Sequence, residues 1–455
     1  MKIKHKFATI FILLSIAIFL IKTDEPKMAD SAVNMDISTR TIKDTKEKEL
    51  SISDAEYWIR KIEDKDKVLM DEAAIIKFNK DNFSQYEGLK DLRNLNPYIK
   101  KDELISLIKK KSQVPKSKRY NKNGNVVTKE YYEKLLSNLN LNMVKDKTPI
   151  RYGVAVNRTM IRTFPTFDGS YKIKGDLEFD RFMETAVYPW EPIAIYSESK
   201  DREWYFGSTY NYTGWIPKKD IAEGEKDVIF NYIDQKDFLV VVDKQIIIDK
   251  VLYDMGVKLP LVQDKGSSFL VNLPKRDNDG SLLIETIELD SLGSFNKGYL
   301  PYTKENLLKQ AFKLYGEPYG WGGMNNTRDC SAFLLDIHRT FGFELPRNAS
   351  EQGQNSLGKI YEFKGNLNLE GRLKVLDSVT PGTALYMPGH AMLYIGKDNE
   401  KHYMIHQFAG HYEKQGNKYV YKRVMKTEVT PVTIKTSTGK TYIENVYVGK
   451  EFSRN

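Results

Sequence analysis

The stretch Tyr319 to Phe333, YGWGGMNNTRDCSAF, constrains the fold more than any other, and it holds the one cysteine of the 455-residue chain, Cys330. Upstream is an aromatic, glycine-rich turn, Tyr319-Gly320-Trp321-Gly322-Gly323. Downstream, Phe333, Ile337 and Phe341 recur every four residues, the period of a helix. Asp329 is a favourable helix cap and Gly342 a favourable stop. The spacing predicts a helix beginning at Cys330. At that position the unpaired backbone N–H groups and the helix dipole favour a thiolate over a thiol. A lone cysteine at a helix start, beside a tight turn, has the build of a nucleophile. The competing reading is a small buried hydrophobe.

Export strengthens the reactive reading. Lys2, Lys4 and Lys6 precede an apolar run from Phe7 to Ile21, so residues 1–22 are expected to be a signal peptide or an uncleaved N-terminal membrane anchor. The expected location is the cell envelope: periplasm, cell wall or secreted. One cysteine cannot form an internal disulfide in an oxidising compartment, and a free thiol there calls for a role. Residues 23–50 are polar and read as a flexible tether. The net charge of +9 comes with no compact arginine-rich or aromatic-basic stripe, which argues against a nucleic-acid partner. A hydrophobic share of 41% is ample for several packed cores.

The body of the chain divides by pattern. Residues 51–145 carry helical spacing, opened by a Ser53–Glu56 capping box. Residues 146–222 hold short strands at close spacing, ending in Gly214-Trp215-Ile216-Pro217, and predict a small β-barrel. Residues 223–297 repeat the theme and predict a second barrel. Residues 298–455 begin with a helix capped by Thr303 and continue into the Cys330 helix. A turn over Leu345 to Gln352 follows, then strands at Thr383–Met387, Ala391–Ile395, Tyr403–Gln407 and Tyr442–Val448. Helices first and an antiparallel sheet afterwards make this part α+β.

A thiol that attacks an amide needs a base and a group that orients the base. Of the six histidines, His338, His390, His402, His406 and His411 follow Cys330. His390 comes after a Pro388-Gly389 turn and opens a strand, which suits a base facing a helix terminus. His406 belongs on the neighbouring strand, where it would fix the His390 tautomer. His338 lies eight residues into the helix and reads as a surface residue, His402 as exposed near a turn, and His411 as part of a loop lining the cleft. Zinc is the competing chemistry for His390, His402, His406 and His411, but no HExxH is present. Neither metal nor cofactor is expected.

With these residues in place, the chain resembles the NlpC-type cell-wall peptidases, which are papain-like cysteine peptidases. The resemblance rests on Tyr319-Gly320-Trp321-Gly322-Gly323, Arg328-Asp329-Cys330-Ser331-Ala332, Leu345-Pro346-Arg347-Asn348, Gly389-His390-Ala391-Met392-Leu393-Tyr394-Ile395-Gly396 and Ile405-His406. It is specific across about 301–412. Forward of that, Phe164-Pro165-Thr166, Trp204-Tyr205 and Gly214-Trp215-Ile216-Pro217 look like the first of two bacterial Src-homology-3-like barrels, and Ser53 to Asn79 looks like an N-terminal helical clip. The resemblance implies a papain-like catalytic domain behind two small all-β barrels, cleaving the γ-D-glutamyl to diamino-acid bond of peptidoglycan stem peptides as a monomer. It implies Cys330 as nucleophile, His390 as base and His406 as orienting residue, with Tyr319, Trp321, Asp329, Ser331, Arg347 and Ser350 against the stem peptide or muropeptide. The barrels would bind wall polymer or narrow the cleft. Some relatives place an Asp after Leu-Pro-Arg to grip a free L-Ala amine; here that stretch is Asn348-Ala349-Ser350. Two alternatives stand beside this reading: a papain-like amidase cutting between sugar and peptide, and a non-catalytic wall-binding scaffold.

Overall fold

The computed structural model describes residues 50–290, 293–354 and 356–453. The targeting segment 1–22 and nearly all of the 23–50 tether lie outside the described residues. Among the described residues no helix is long and apolar enough to cross a membrane.

The helical segment expected over 51–145 serves two different cores. Helices α1 (Ala55–Ile59) and α2 (Glu72–Gln85) belong to the C-terminal fold. Trp58, Ile59, Met70, Ile75 and Phe78 share one apolar cluster with Phe333, Ile337 and Phe341. Polar contacts fix the match: the Asn79 side-chain amide donates to the Gly342 carbonyl at 2.8 Å and accepts from the Glu344 N–H at 2.9 Å. Helices α3 (Lys101–Lys111) and α4 (Lys129–Asn138) instead bury Leu104, Ile108, Tyr132 and Leu135 against the first β-module. The expected Ser53–Glu56 box is absent. Asp54 occupies the cap position, but its carboxylate accepts the Ser51 N–H and hydroxyl at 2.9 and 2.8 Å and no side chain caps α1, while the Ser53 hydroxyl meets the Tyr315 hydroxyl at 2.9 Å.

The first β-module is a seven-stranded antiparallel sheet. Its strand order is Ile221–Glu223, Arg151–Ala155, Pro192–Glu198, Trp204–Ser208, Thr213–Pro217, Thr159–Arg162, Met183–Val187. Trp204, Phe206 and Trp215 fill its interior, and such aromatic burial contributes roughly 1.5–3 kcal/mol for each side chain. Helix α5 (Lys226–Ile233) leads into a five-stranded antiparallel sheet ordered Leu282–Asp290, Ser268–Arg276, Lys258–Asp264, Phe238–Val241, Phe295–Lys297. The two modules share a continuous apolar core.

The C-terminal fold is α+β. Helix α6 (Lys304–Lys313) starts at Thr303, whose hydroxyl accepts the Asn306 N–H at 3.1 Å. Helix α7 (Cys330–Arg339) starts at Asp329, whose carboxylate accepts the Ala332 N–H at 3.0 Å. Part of the Leu345–Gln352 segment, expected as a turn, is helix α8 (Ala349–Gln354), and helix α9 (Leu369–Leu376) follows. The antiparallel sheet runs Lys359–Glu362, Val448–Glu451, Ala384–Met387, His390–Asp398, Lys401–Gln415, Lys418–Pro431. Tyr442 is not on a strand. Thr441 and Glu444 form a capping box that starts helix α10 (Tyr442–Asn445), and the strand begins only at Val448.

Candidate active site

Helix α7 packs against strand His390–Asp398, which brings its first residue to the start of that strand. The backbone N–H of Ala391, the residue after His390, is near enough to the Cys330 sulfur to favour its charged form. On the neighbouring strand, Leu393 pairs with Ile405, and this register carries His406 alongside His390. His390 Nε2 and His406 Nδ1 share a hydrogen bond of 2.8 Å. His406 Nε2 meets the Thr430 hydroxyl at 3.0 Å from the third strand. His406 is fully buried and stacks on Phe408 at 4.0 Å, while the Tyr442 ring sets its edge against both imidazoles at 5.8 and 5.9 Å. One stacked ring, one edge-on ring and two hydrogen bonds thus fix the inner imidazole. Phe408, Thr430 and Tyr442 carried no local signal of this part. Each meets the imidazoles through strand register or from a later helix.

The electrostatics correct the expected thiolate. Burial, reinforced by the adjacent Asp329 carboxylate, pushes the Cys330 thiol up to about 12, against the pull of the Ala391 N–H, Arg347 and the Ser331 N–H. Burial also pulls His390 down to about 4, with Asp329 opposing, and holds His406 well below the usual imidazole range. The resting pair is therefore a thiol facing a neutral imidazole. Desolvation at this helix terminus outweighs the dipole.

Asp329, Ser331 and Arg347 form one buried cluster. Arg347 reaches Asp329 through two N–H groups at 3.1 and 2.7 Å, the Ser331 hydroxyl at 2.8 Å, and Thr185 of the first β-module at 2.6 Å. Burial alone would raise the Asp329 carboxyl. Its ion pair with Arg347 and the N–H groups of Ala332 and Gly322 outweigh that and hold it below the usual range. Tyr319 and Trp321 are partly buried beside this cluster, and Tyr319 is held by a backbone bond to Met425 at 2.9 Å. Ser350 is exposed on the first turn of α8, apart from the cluster.

The glycines of the turn have a structural cause. Gly322 and Gly323 have φ of 59° and 90°, and a Cβ on Gly323 would stand 2.6 Å from the Ala186 Cβ and 3.0 Å from its nitrogen. The first β-module presses on this turn, and only glycine allows the approach. Arg328, one residue before Asp329, anchors the same loop. It is fully buried, with Glu317 at 2.7 Å, Asp336 at 2.6 Å and Asp254 of the second module at 3.2 Å. Arg158 adds a second contact to Asp254 at 2.9 Å.

Three histidines differ from expectation. His338 is fully buried, with Nδ1 at 2.7 Å from the Leu334 carbonyl and its ring against Phe452 at 4.8 Å. Every residue from Cys330 to His338 is buried, so α7 has no surface face in this stretch. His402 is buried too, held by the Tyr394 hydroxyl at 2.8 Å and Asp377 at 3.3 Å. His411 lies on strand Lys401–Gln415 rather than in a loop. Among the described residues no three His, Cys, Asp or Glu side chains group so as to hold a metal ion.

Comparison with known proteins gives matches to two family models: an SH3 domain of the SH3b1 type over residues 165–217 and the NlpC/P60 family over residues 316–432. A gamma-D-glutamyl-L-lysine dipeptidyl-peptidase from Bacillus cereus is 22% identical over 230 residues, 47% of this chain and 61% of that protein. The chain thus spans less than two thirds of the length of that curated relative. An NlpC/P60 endopeptidase from Photobacterium damselae subsp. piscicida superposes with a TM-score of 0.72 at 21% identity, over 88% of this chain and 96% of the other. It shares the fold along nearly the whole length. An NlpC/P60 family protein from Bacillus cereus aligns with a TM-score of 0.43 at 17% identity, over 60% of this chain and 83% of the other.

Proposed function

Because the chain carries an NlpC/P60 peptidase domain behind an SH3 domain, we propose that it is an exported peptidoglycan hydrolase that cleaves the γ-D-glutamyl to diamino-acid bond of stem peptides. The observation that carries this reading is the hydrogen bond between His390 and His406 on the strands that pack against the Cys330 helix. The name of the Bacillus cereus relative, whose stated bond is γ-D-glutamyl to lysine, supports the choice of bond.

In the proposed reaction the Cys330 sulfur attacks the γ-carbonyl carbon as its proton passes to His390. His406 holds the imidazole in place and spreads the charge it gains. The carbonyl oxygen becomes an oxyanion facing the backbone N–H of Cys330 at the start of α7 and a neighbouring donor. Collapse breaks the C–N bond, and His390 returns the proton to the leaving amine. Water then attacks the thioester with His390 as base, releasing the carboxylic acid and restoring the thiol. A neutral imidazole at rest suits a base that takes the proton during attack.

We further propose that residues 51–145 act as a clip, 146–222 and 223–297 as Src-homology-3-like modules flanking the cleft and offering wall contacts, and 298–455 as the peptidase. The test is mass spectrometry of defined muropeptides incubated with the full chain, beside Cys330→Ala. Scission after D-Glu, absent in Cys330→Ala, is the expected result. Release of the whole stem peptide from the sugar would make the enzyme an amidase. Binding to sacculi without scission of any fragment would leave a scaffold.

A further inference from the structure

We propose that Arg181 of the first β-module and Trp321 of the glycine-rich turn build an anion-recognising subsite in the cleft, and that it takes a carboxylate of the bound peptide. This rests on the peptidase reading above and adds a residue that no local pattern singles out.

Arg181 lies in the segment joining strands Thr159–Arg162 and Met183–Val187. Its guanidinium carbon stands 4.3 Å over the Trp321 ring and 5.5 Å from Phe179. Phe179 packs edge-on against Trp321 at 5.7 Å and tilts over Tyr319 at 6.0 Å. The Tyr319 hydroxyl is within electrostatic reach of both the Cys330 sulfur and Arg181. The first β-module therefore supplies a cation to the wall that leads down to the cysteine.

Asp176 and Asp180 act on that cation from a distance, but it makes no salt bridge among the described residues. Its Nε is buried without a hydrogen-bond partner. Nearby acids are already engaged: Asp180 by Arg162 at 2.8 Å and by the Ser170 and Phe182 N–H groups at 2.9 Å, and Asp176 by Arg423 at 3.5 Å. Asp329, the acid beside the cysteine, is taken by Arg347. Arg119 adds like charge to Arg181, and its own Nε is also buried without a partner. The Trp321 indole Nε1 is a third buried N–H with no acceptor.

Buried donors left unpaired are costly, and two arginines held near one another repel. An anion placed among them relieves both costs, and a guanidinium presents a fork matched to a carboxylate. A γ-linked glutamyl residue keeps its α-carboxylate free next to the bond to be cut, and the diamino residue can offer another. Both are the same chemistry, and the experiment separates them.

The test compares kcat/KM for three peptides cut by the full chain: L-Ala-γ-D-Glu-L-Lys, its glutamyl α-carboxamide, and its C-terminal carboxamide. We expect one of the two amides to be cut about tenfold more slowly or worse, mainly through KM. The slower one identifies the carboxylate. Arg181→Ala should bring that ratio to about one, Arg181→Lys should keep part of it, and Trp321→Phe, which keeps the stacked ring but loses the N–H, should lower it. A ratio near one in the native chain overturns the subsite, as does a ratio unchanged in all three variants. If the native chain cuts none of the peptides, the proposed function fails. The subsite is then judged by calorimetric binding of the same peptides: a preference for carboxylate lost in Arg181→Ala and kept in part in Arg181→Lys upholds it, and no preference removes it.

Discussion

Arg328 donates to Asp254 at 3.2 Å across the junction between the peptidase fold and the second β-module, two positions before Cys330. The same guanidinium holds Glu317 and Asp336, and all four groups are buried. The loop that presents the cysteine is thus tied to a module that supplies no catalytic group. Arg328→Met removes the cation and leaves carboxylates buried without it. Urea unfolding should show a loss of about 3–5 kcal/mol, with Arg328→Lys costing less. A loss below about 1 kcal/mol would mean that the junction does not depend on this cluster.

Gly323→Ala tests the other side of the loop. The added methyl would meet Ala186 of the first β-module, at a φ that L-residues avoid. The expected cost is about 1–3 kcal/mol in stability, with an accompanying fall in activity as the turn shifts. An unchanged melting temperature would show that the module does not press on the turn.

His406→Ala should lower kcat by about a hundredfold with a small change in KM, because it removes the partner of His390 and not a substrate contact. Thr430→Val removes only the outer hydrogen bond and should cost roughly fivefold. Equal losses in KM and kcat for His406→Ala would place the residue in binding instead.

The resting thiol and neutral imidazole set the pH profile. In the proposed reaction His390 is the base and must be neutral, so activity should be lost as pH falls through its folded value, about 4. The acid limb of kcat/KM should fall well below 6.5, as a property of the coupled His390–His406 pair. At neutral pH, alkylation of Cys330 by iodoacetamide should be slower than that of a free thiol, since the sulfur is pushed up to about 12.

Stability has its own acid dependence through His338. Burial holds this ring at about 4, against 6.5 in the unfolded chain. Between those values the unfolded chain binds the extra proton, so stability present above pH 6.5 is lost as pH falls towards 4. The contribution of this ring is about 3 kcal/mol. His402 and His406 shift in the same direction. His338→Phe should therefore make the melting temperature less dependent on pH over this window without abolishing the slope.

Sequence disclosed what short-range chemistry decides. The Asp329 and Thr303 caps, the start of α7 at Cys330 and the first β-module all follow from local spacing. The meeting of His390 and His406 follows from two strands with a short turn between them. What stayed hidden depends on neighbours far along the chain. His338 reads as a surface residue from its place well along the helix, yet the rings of Tyr302, Phe343 and Phe452 cover it. Tyr442 reads as a strand residue until the Thr441–Glu444 box is seen to start a helix. The thiolate expectation failed because a helix dipole is a local property and desolvation is not. Arg181 could not be read at all: its position over Trp321 exists only once the first β-module is docked.

The shared core of α1, α2 and the peptidase fold has a consequence for how the enzyme comes into being. Asn79 closes on Gly342 across 263 positions, and Phe78 rests on Phe452 at 5.6 Å. The Trp58, Ile75 and Phe78 side chains have no cover until the segments carrying Phe333 and Phe452 have been synthesised. Folding of the catalytic core must wait for long-range closure, which is slow. The matched NlpC/P60 stretch, 316–432, contains Phe333 and Gly342 but neither α1 and α2 nor Phe452, so it is not a cassette that can be lifted into another protein. A chain interrupted before Phe452 would leave Phe78, His338 and Phe343 without the ring that packs on all three, so the fold that carries Cys330 cannot close until that residue has been made.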